Sequence, residues 1–172
     1  AVRETIGPDI TLMVDVGYLW DDAERCLATI SEWAEFDLFF LETPVWSDNA
    51  HEMAKLAEAA PMKIAFGEWL ATRFEFEELM DIGKVHVAQP DVGRVGGIGE
   101  AKIVCDMAKE RGRTIVPHCW KTGISISASA HLALIALAKR IDFAGVQYCL
   151  AHNGRPRVRV PASARFPMPR WQ

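Results

Sequence analysis

Five ionisable residues recur at nearly even spacing along the chain. Asp15, Glu42, Glu68, Asp91 and His118 are separated by 27, 26, 23 and 27 residues. Each follows a short apolar run, as in Met-Val-Asp15. This interval fits one strand followed by one helix, so we expect the five residues at the ends of five consecutive strands.

The first three of these residues are candidate ligands of a metal ion. If the strands lie side by side, Asp15, Glu42 and Glu68 converge, and close carboxylates repel one another unless protonated or bridged by a cation. All-oxygen ligation suits Mg²⁺, whereas zinc is disfavoured because no His or Cys joins the trio. A single carboxylate after a strand is often only a solvated residue or a helix cap. The magnesium prediction therefore depends on the three together.

The last two residues are a candidate acid–base pair. A carboxylate such as Asp91 that accepts a hydrogen bond from one imidazole nitrogen fixes the tautomer and makes the other nitrogen more basic. His118 is therefore the predicted general base, with Asp91 as its partner. The alternative, a structural histidine paired with an aspartate, remains open from the sequence.

The elements that must position these residues alternate along residues 1–151. Short apolar runs predict six strands, at Leu12–Val16, Leu38–Leu41, Lys63–Phe66, Val85–Ala88, Thr114–Pro117 and Gly145–Cys149. Longer patterns with capping residues predict five helices, at Asp21–Phe36, Ala50–Ala60, Arg73–Ile82, Ile98–Arg111 and Ile124–Arg140, the last heavily buried because it is apolar. Strict alternation predicts an α/β fold with a parallel sheet, either doubly wound or barrel-like. Six units are too few for a closed eight-stranded barrel, so a barrel would lack two strands.

The composition is that of a globular protein and gives no sign of nucleic-acid binding, a membrane span or a disulfide framework. The 172 residues are 50% hydrophobic and 24% charged, which is typical of one globular domain. A net charge of −4 gives no reason to expect nucleic acid. The most apolar stretch, Gly123–Ala138, is too short and too polar to span a membrane. The four cysteines form no CxxC pair and no signal segment is evident, so we expect free thiols and a cytoplasmic location.

The composition changes after residue 151. All 23 acidic residues precede that point, whereas residues 152–172 contain five arginines and four prolines. Prolines interrupt both strands and helices, so residues 152–172 are predicted to be an irregular tail. Residues 1–151 are the predicted catalytic part.

Several longer segments resemble a known family. They are LMVDVGYLWD, LFFLETPV, IAFGEWLATRFEFEELM, VAQPDVGRVGGIGEA and VPHCWKTGISISASAHLA. From about residue 3 to residue 151 the chain resembles the mandelate racemase-like branch of the enolase superfamily, and most closely its acid-sugar dehydratases. The resemblance implies a partial TIM-type (β/α) barrel without the N-terminal capping domain and the first two barrel strands.

The resemblance also implies a reaction. Members remove the proton α to a carboxylate and stabilise the resulting enediolate on Mg²⁺. By resemblance, Asp15, Glu42 and Glu68 are the Mg²⁺ ligands, His118 is the base and Asp91 is its partner. The expected substrate is a small carboxylic acid, and the intact parent enzyme is expected to be a homo-oligomer. No nucleic acid or membrane partner is expected.

Four further residues are candidate substrate contacts. Lys121 and Arg94 could bind an anionic group, and Trp120 could wall the pocket. Gln147 stands where many relatives have a glutamate; its amide can donate a hydrogen bond but cannot act as an acid.

The sequence leaves three functions open. The first is dehydration of a sugar acid, with His118 serving both steps. The second is racemisation or epimerisation of a 2-hydroxy acid, which normally needs a base on each face of the substrate. The third is a truncated, non-catalytic fragment that keeps the metal residues.

Overall fold

The computed structural model describes residues 2–120, 122–138 and 147–148. Its α-helices are α1 Val2–Ile6, α2 Ala23–Ile30, α3 Ala50–Ala59, α4 Arg73–Asp81, α5 Ile98–Glu110 and α6 Gly123–Ala138, and a 3₁₀ helix spans Ser31–Phe36. Its strands are β1 Leu12–Asp15, β2 Leu38–Glu42, β3 Lys63–Phe66, β4 Val87–Ala88, β5 Thr114–Ile115, β6 His118–Cys119 and β7 Gln147–Tyr148.

The strands are parallel and follow one another in sequence order. The main sheet has the order β1-β2-β3-β4-β5, and β6 pairs with β7 in a second parallel pair. A doubly wound sheet reverses direction at a switch point, and no reversal occurs among the described strands. The predicted α/β fold with a parallel sheet is therefore confirmed, and its strand order is that of a barrel wall.

The two faces of the sheet bury different residues because side chains alternate along each strand. On β3, Ile64 and Phe66 pack in the large core beneath the helices. Ala65 faces the other way and packs in a small cluster with Phe40 and Val87. In a barrel this second face is the interior, so the carboxyl ends of the strands open onto the interior rim.

Two predicted elements are divided in the structure. The predicted helix Asp21–Phe36 becomes α2 followed by the 3₁₀ helix, which ends at Asp37 in a left-handed conformation. The predicted strand Thr114–Pro117 ends at Ile115, and pairing resumes at His118 with a hydrogen bond from its backbone N to the oxygen of Pro90 at 3.2 Å. Pro117 has no N–H to donate and so interrupts the ladder.

Helix α6 is less buried than its sequence predicts. Leu132 and Ala136 are fully buried, but Ile124 is 83% exposed and Leu137 46% exposed. The helix packs with one face against α5 and β6, so its apolar composition does not correspond to burial on all sides. None of the helices in the described ranges is long and apolar enough to cross a membrane.

The imidazole of His86 lies beside β3 in a setting that disfavours its charge. The Ile64 backbone N donates a hydrogen bond to His86 Nδ1 at 3.1 Å. Burial, followed by the positive charges of Arg113 and Lys63, lowers the pKa of His86 below its ordinary value of 6.5. The folded protein thus binds fewer protons here than the unfolded chain. The neutral imidazole of His86 therefore stabilises the fold fully above pH 6.5, and this stabilisation is lost as the pH falls and protonation favours the unfolded chain.

We therefore expect acidification from about pH 7.5 to about pH 5.5 to raise the urea midpoint of His86→Asn relative to that of the wild type, because only the wild type then loses stability at residue 86. The asparagine amide oxygen can still accept the Ile64 N–H but does not titrate. Urea unfolding at both pH values measures the difference. The control is His51→Asn, at an exposed imidazole in α3. An equal acid response in wild type and His86→Asn would contradict the prediction.

Candidate active site at the carboxyl ends of the strands

Asp15 and Glu42 are neighbours at the ends of β1 and β2. They are Cα partners in the parallel register, so both carboxylates leave the sheet at the same level. Asp15 Oδ1 accepts hydrogen bonds from the Gly17 backbone N and from Thr43 Oγ1, both at 3.0 Å. Glu42 is only 1% exposed. The structure thus brings the first two predicted metal ligands together on the rim.

Glu68 lies two residues beyond β3 and is held from both sides. Its Oε1 accepts a hydrogen bond from Tyr18 Oη at 3.0 Å, and its Oε2 lies 3.1 Å from His118 Nε2. Burial alone would raise the pKa of Glu68, but the hydrogen bonds from His118, Tyr18 and Trp69 and the charge of His118 together lower it. Glu68 therefore joins the predicted metal ligands to the predicted base.

His118 is almost fully buried between two carboxylates. Its Nδ1 lies 2.8 Å from Asp91 Oδ2, opposite the contact of Nε2 with Glu68. Asp91 Oδ1 also accepts a hydrogen bond from the Gly93 backbone N at 2.7 Å, which fixes the carboxylate. Burial opposes the imidazolium, but the hydrogen bonds and charges of Asp91 and Glu68 outweigh it and raise the pKa of His118 to about 9. The predicted base and its partner are thus in direct contact.

The surroundings of Asp91 favour its ionised form. Burial would raise its pKa, but hydrogen bonds from His118 and Gly93, with the positive charges of His118 and Arg94, lower it. An ionised Asp91 is the form that accepts the N–H of Nδ1. The geometry therefore directs Nε2, rather than Nδ1, towards the rim where Glu68 lies.

Tyr18 is a site residue that the sequence analysis missed. Its ring stacks on Trp46 with centroids 5.1 Å apart, and its hydroxyl donates to Glu68. Burial, followed by the negative charges and hydrogen bond of Glu68 and the charges of Asp15 and Glu42, raises the pKa of Tyr18, so the phenol remains a donor. The sequence signal that could have indicated it is Gly17, a residue that favours tight turns. In the structure Gly17 has a φ of 54° and Tyr18 a φ of 62°, and this left-handed turn directs the chain back over the rim.

The three carboxylates suit a hard cation in type but are not drawn together around one point. Among the described residues, no group of three His, Cys, Asp or Glu side chains is arranged to hold a metal ion. Glu68 is turned towards Tyr18 and His118 instead. Asp15 and Glu42 are nevertheless register partners, Tyr18 bonds to Glu68, and the charges of all three carboxylates raise the pKa of that phenol. That donor set fits Mg²⁺, provided that Glu68 reorients.

The remaining predicted site residues lie around this cluster or outside the described residues. The guanidinium of Arg94 stacks on Trp69, with Cζ 3.8 Å from the ring centroid. Trp120 is 46% exposed, two residues after the base. Gln147, in β7, is the Cα partner of His118 in β6, so its backbone lies beside the base. The side chain of Gln147 is outside the described part of the structure. Lys121 and the 152–172 tail lie outside the described residues.

A comparison with known protein families identifies the family of this chain. The sequence model of the family described as Enolase C-terminal domain-like matches residues 1–161. The chain belongs to this family. The match includes the first ten residues of the segment 152–172, and the domain division at residue 151 remains a prediction.

Three curated relatives of this enolase C-terminal domain-like chain have names that describe reactions of sugar acids or their lactones. It is 33% identical over 129 residues to the D-galactarolactone cycloisomerase of Agrobacterium fabrum, covering 75% of the chain and 34% of the relative. It is 34% identical over 133 residues to the arabinonate dehydratase of Saccharolobus solfataricus, covering 77% and 35%. It is 36% identical over 118 residues to the L-talarate/galactarate dehydratase of Salmonella typhimurium, covering 69% and 29%. The chain thus spans about a third of the length of these relatives.

Solved structures of similar proteins share the fold. A predicted mandelate racemase from Rhodobacter sphaeroides matches with a TM-score of 0.73 and 36% identity, over 83% of this chain and 37% of that one. The L-talarate/galactarate dehydratase from Salmonella typhimurium LT2, liganded with Mg and L-lyxarohydroxamate, matches with a TM-score of 0.72 and 28% identity, over 85% and 35%. These matches confirm the prediction of a partial TIM-type barrel.

Proposed function

We propose that this chain supplies the metal- and base-bearing part of a Mg²⁺-dependent acid-sugar dehydratase. The reaction removes the proton α to a carboxylate and eliminates the β-hydroxyl as water. The observation that carries the proposal is the buried imidazole of His118, which lies between Asp91 and Glu68 on the rim that also carries Asp15 and Glu42. The names of two curated relatives, both dehydratases, support this choice.

The acid–base work falls to His118. Because Asp91 Oδ2 accepts the Nδ1 proton, Nε2 is the nitrogen that would take the α-proton from the substrate, once Glu68 has turned to the metal and Nε2 has given up the proton that Glu68 stabilises there. As the C–H bond breaks, its electrons form the double bond to the β-carbon and the bond to the β-hydroxyl breaks. The imidazolium then gives its proton to the departing hydroxyl, which leaves as water. One side chain can therefore serve both steps if the two groups lie on the same face of the substrate.

The substrate carboxylate would be bound through Mg²⁺. The residues that would hold this ion are Asp15, Glu42 and Glu68. A bound Mg²⁺ would offset the negative charge that develops on the substrate carboxylate as the α-proton leaves. The hydroxyl of Tyr18 donates to Glu68 Oε1, so Glu68 would turn its other oxygen from His118 towards the ion. Residues that orient a ligand in this way commonly affect metal affinity.

The first test is a thermal melt with Mg²⁺ and with EDTA. We expect Mg²⁺ to raise the melting temperature, because a ligand at a hundredfold excess over Kd adds about 2.7 kcal/mol to the free energy of unfolding. Glu68→Gln should lose this response because it removes one ligand charge. The matched control is Glu58→Gln, at an exposed position in α3, which should respond like the wild type. A wild-type melt that is indifferent to Mg²⁺ would refute the metal assignment.

A further inference from the structure

Arg94 is a cation at the rim of the site that lies against an aromatic ring. Its guanidinium lies over the Trp69 indole, with Cζ 3.8 Å from the ring centroid. A guanidinium that stacks through its face keeps its N–H donors in the plane, directed away from the ring. Those in-plane donors match the two oxygens of a carboxylate.

The loop that carries Arg94 is fixed by the catalytic aspartate itself. The backbone N atoms of Arg94 and Val95 both donate to the Asp91 backbone oxygen at 2.9 Å. The Asp91 side chain in turn accepts the Gly93 N–H. The same residue that orients His118 therefore also sets the position of Arg94.

The surroundings place this cation beside the reacting groups. Trp69 directly follows Glu68, the third predicted metal ligand, in the sequence. Arg94 follows Asp91 by three residues. Its positive charge is the smallest of the effects that together lower the pKa of the Asp91 carboxyl. Arg94 therefore lies within electrostatic reach of Asp91, and it stacks on the residue that follows Glu68.

Arg94 also differs from three other arginines of the fold. Arg25, Arg73 and Arg111 each form an ion pair with an aspartate or glutamate. Within the part of the chain that the structure describes, Arg94 has no ion pair with an acid. An aromatic support thus holds the charge in place without using its donors, as a binding site for an anion requires.

We infer that Arg94, supported by Trp69, is a subsite for a second carboxylate, so that the substrate is a sugar acid with a carboxylate at each end. This rests on the proposed function, in which the first carboxylate is at the metal and base. The named relatives do not decide between the classes, since arabinonate carries one carboxylate and galactarate carries two. The stacked guanidinium favours the second class.

The test compares galactarate with galactonate, which share the configuration of their hydroxyl carbons and differ in the carboxylate at C6. Isothermal titration calorimetry of the whole chain with saturating Mg²⁺ gives both Kd values. We expect galactarate to bind at least about tenfold more tightly, as a charge-assisted bidentate contact implies. Arg94→Gln should weaken galactarate alone and abolish the preference, whereas Arg94→Lys should keep part of it.

The control is Arg73→Gln, which removes a cation that is paired with Glu100 and should leave the preference unchanged. Equal affinity for the two acids in the wild type, binding of neither acid, or a preference that survives Arg94→Gln would each overturn the inference. The Mg²⁺-dependent melt tests the proposed function separately. A metal response without discrimination between the two acids would therefore refute the subsite alone.

Discussion

Replacing His118 by asparagine is expected to slow the Mg²⁺-dependent exchange of a substrate α-proton by about 10²–10⁴-fold, the usual contribution of a positioned base. The asparagine amide can still donate to Asp91, so the buried carboxylate keeps a partner. It cannot accept a proton at the position of Nε2. Proton NMR of galactarate in deuterated water, with and without EDTA, measures the exchange rate directly.

His131→Asn is the matched control for this substitution. His131 lies on an exposed part of α6, where its Nδ1 is 2.7 Å from the Ser127 backbone oxygen. The same chemical change there should leave the exchange rate near that of the wild type. Equal slowing in the two variants, or none in His118→Asn, would contradict the assignment of the base.

The product of the wild-type reaction decides between the functions that the sequence leaves open. A dehydratase yields a keto acid that has lost water, whereas a racemase or epimerase returns a substrate epimer with deuterium at the α-carbon. A chain that responds to Mg²⁺ in the melt and exchanges no α-proton would favour the third alternative, a fragment that binds the metal without turnover. The product and the α-proton exchange are read from the same NMR sample.

Much of the rim was predictable because its chemistry is local to the strand ends. An apolar run that is buried in a parallel sheet must end where the chain reaches solvent, and that point marks the carboxyl end of the strand. Equal spacing then aligns such ends along the sheet. The Cα pairing of Asp15 with Glu42 and the bridge between Asp91 and His118 follow from this regularity.

The contacts that join these residues were not predictable in the same way. The bond from Tyr18 to Glu68 spans 50 residues and depends on a left-handed turn at Gly17 and Tyr18. Apolar periodicity contains no information about such a turn. Composition likewise predicted a buried α6, although burial depends on how many neighbours surround the helix. Long-range packing, rather than local pattern, determined both features.

One consequence of these contacts is that Glu68 belongs to two networks. It bonds to Tyr18 beside Asp15 and Glu42, and it bonds to the base on its other side. A substitution that moves Glu68 should therefore disturb metal binding and proton transfer together. The residue that sets its position is Gly67, at the end of β3.

Gly67→Ala is expected to lower the free energy of unfolding by about 2–5 kcal/mol, from backbone strain and overpacking combined. Gly67 has a φ of 127°, which residues with a Cβ rarely adopt. An added Cβ would lie 2.6 Å from Phe76 Cε1 and 3.2 Å from the Gln89 backbone N. Phe76 is fully buried in the large core, so its ring has little room to move away. Urea unfolding measures the loss.

Gly99→Ala provides the opposite expectation within the same fold. Gly99 lies in α5, and a Cβ built there meets no atom within 4 Å. Because alanine favours helix, this variant should gain about 0.5–1 kcal/mol. The Mg²⁺ response should then separate the two, since Gly67→Ala displaces Glu68 and should weaken it, while Gly99→Ala should retain it. Equal stability of the two variants would mean that the turn at Gly67 tolerates a side chain, and that Glu68 is positioned by its hydrogen bonds alone.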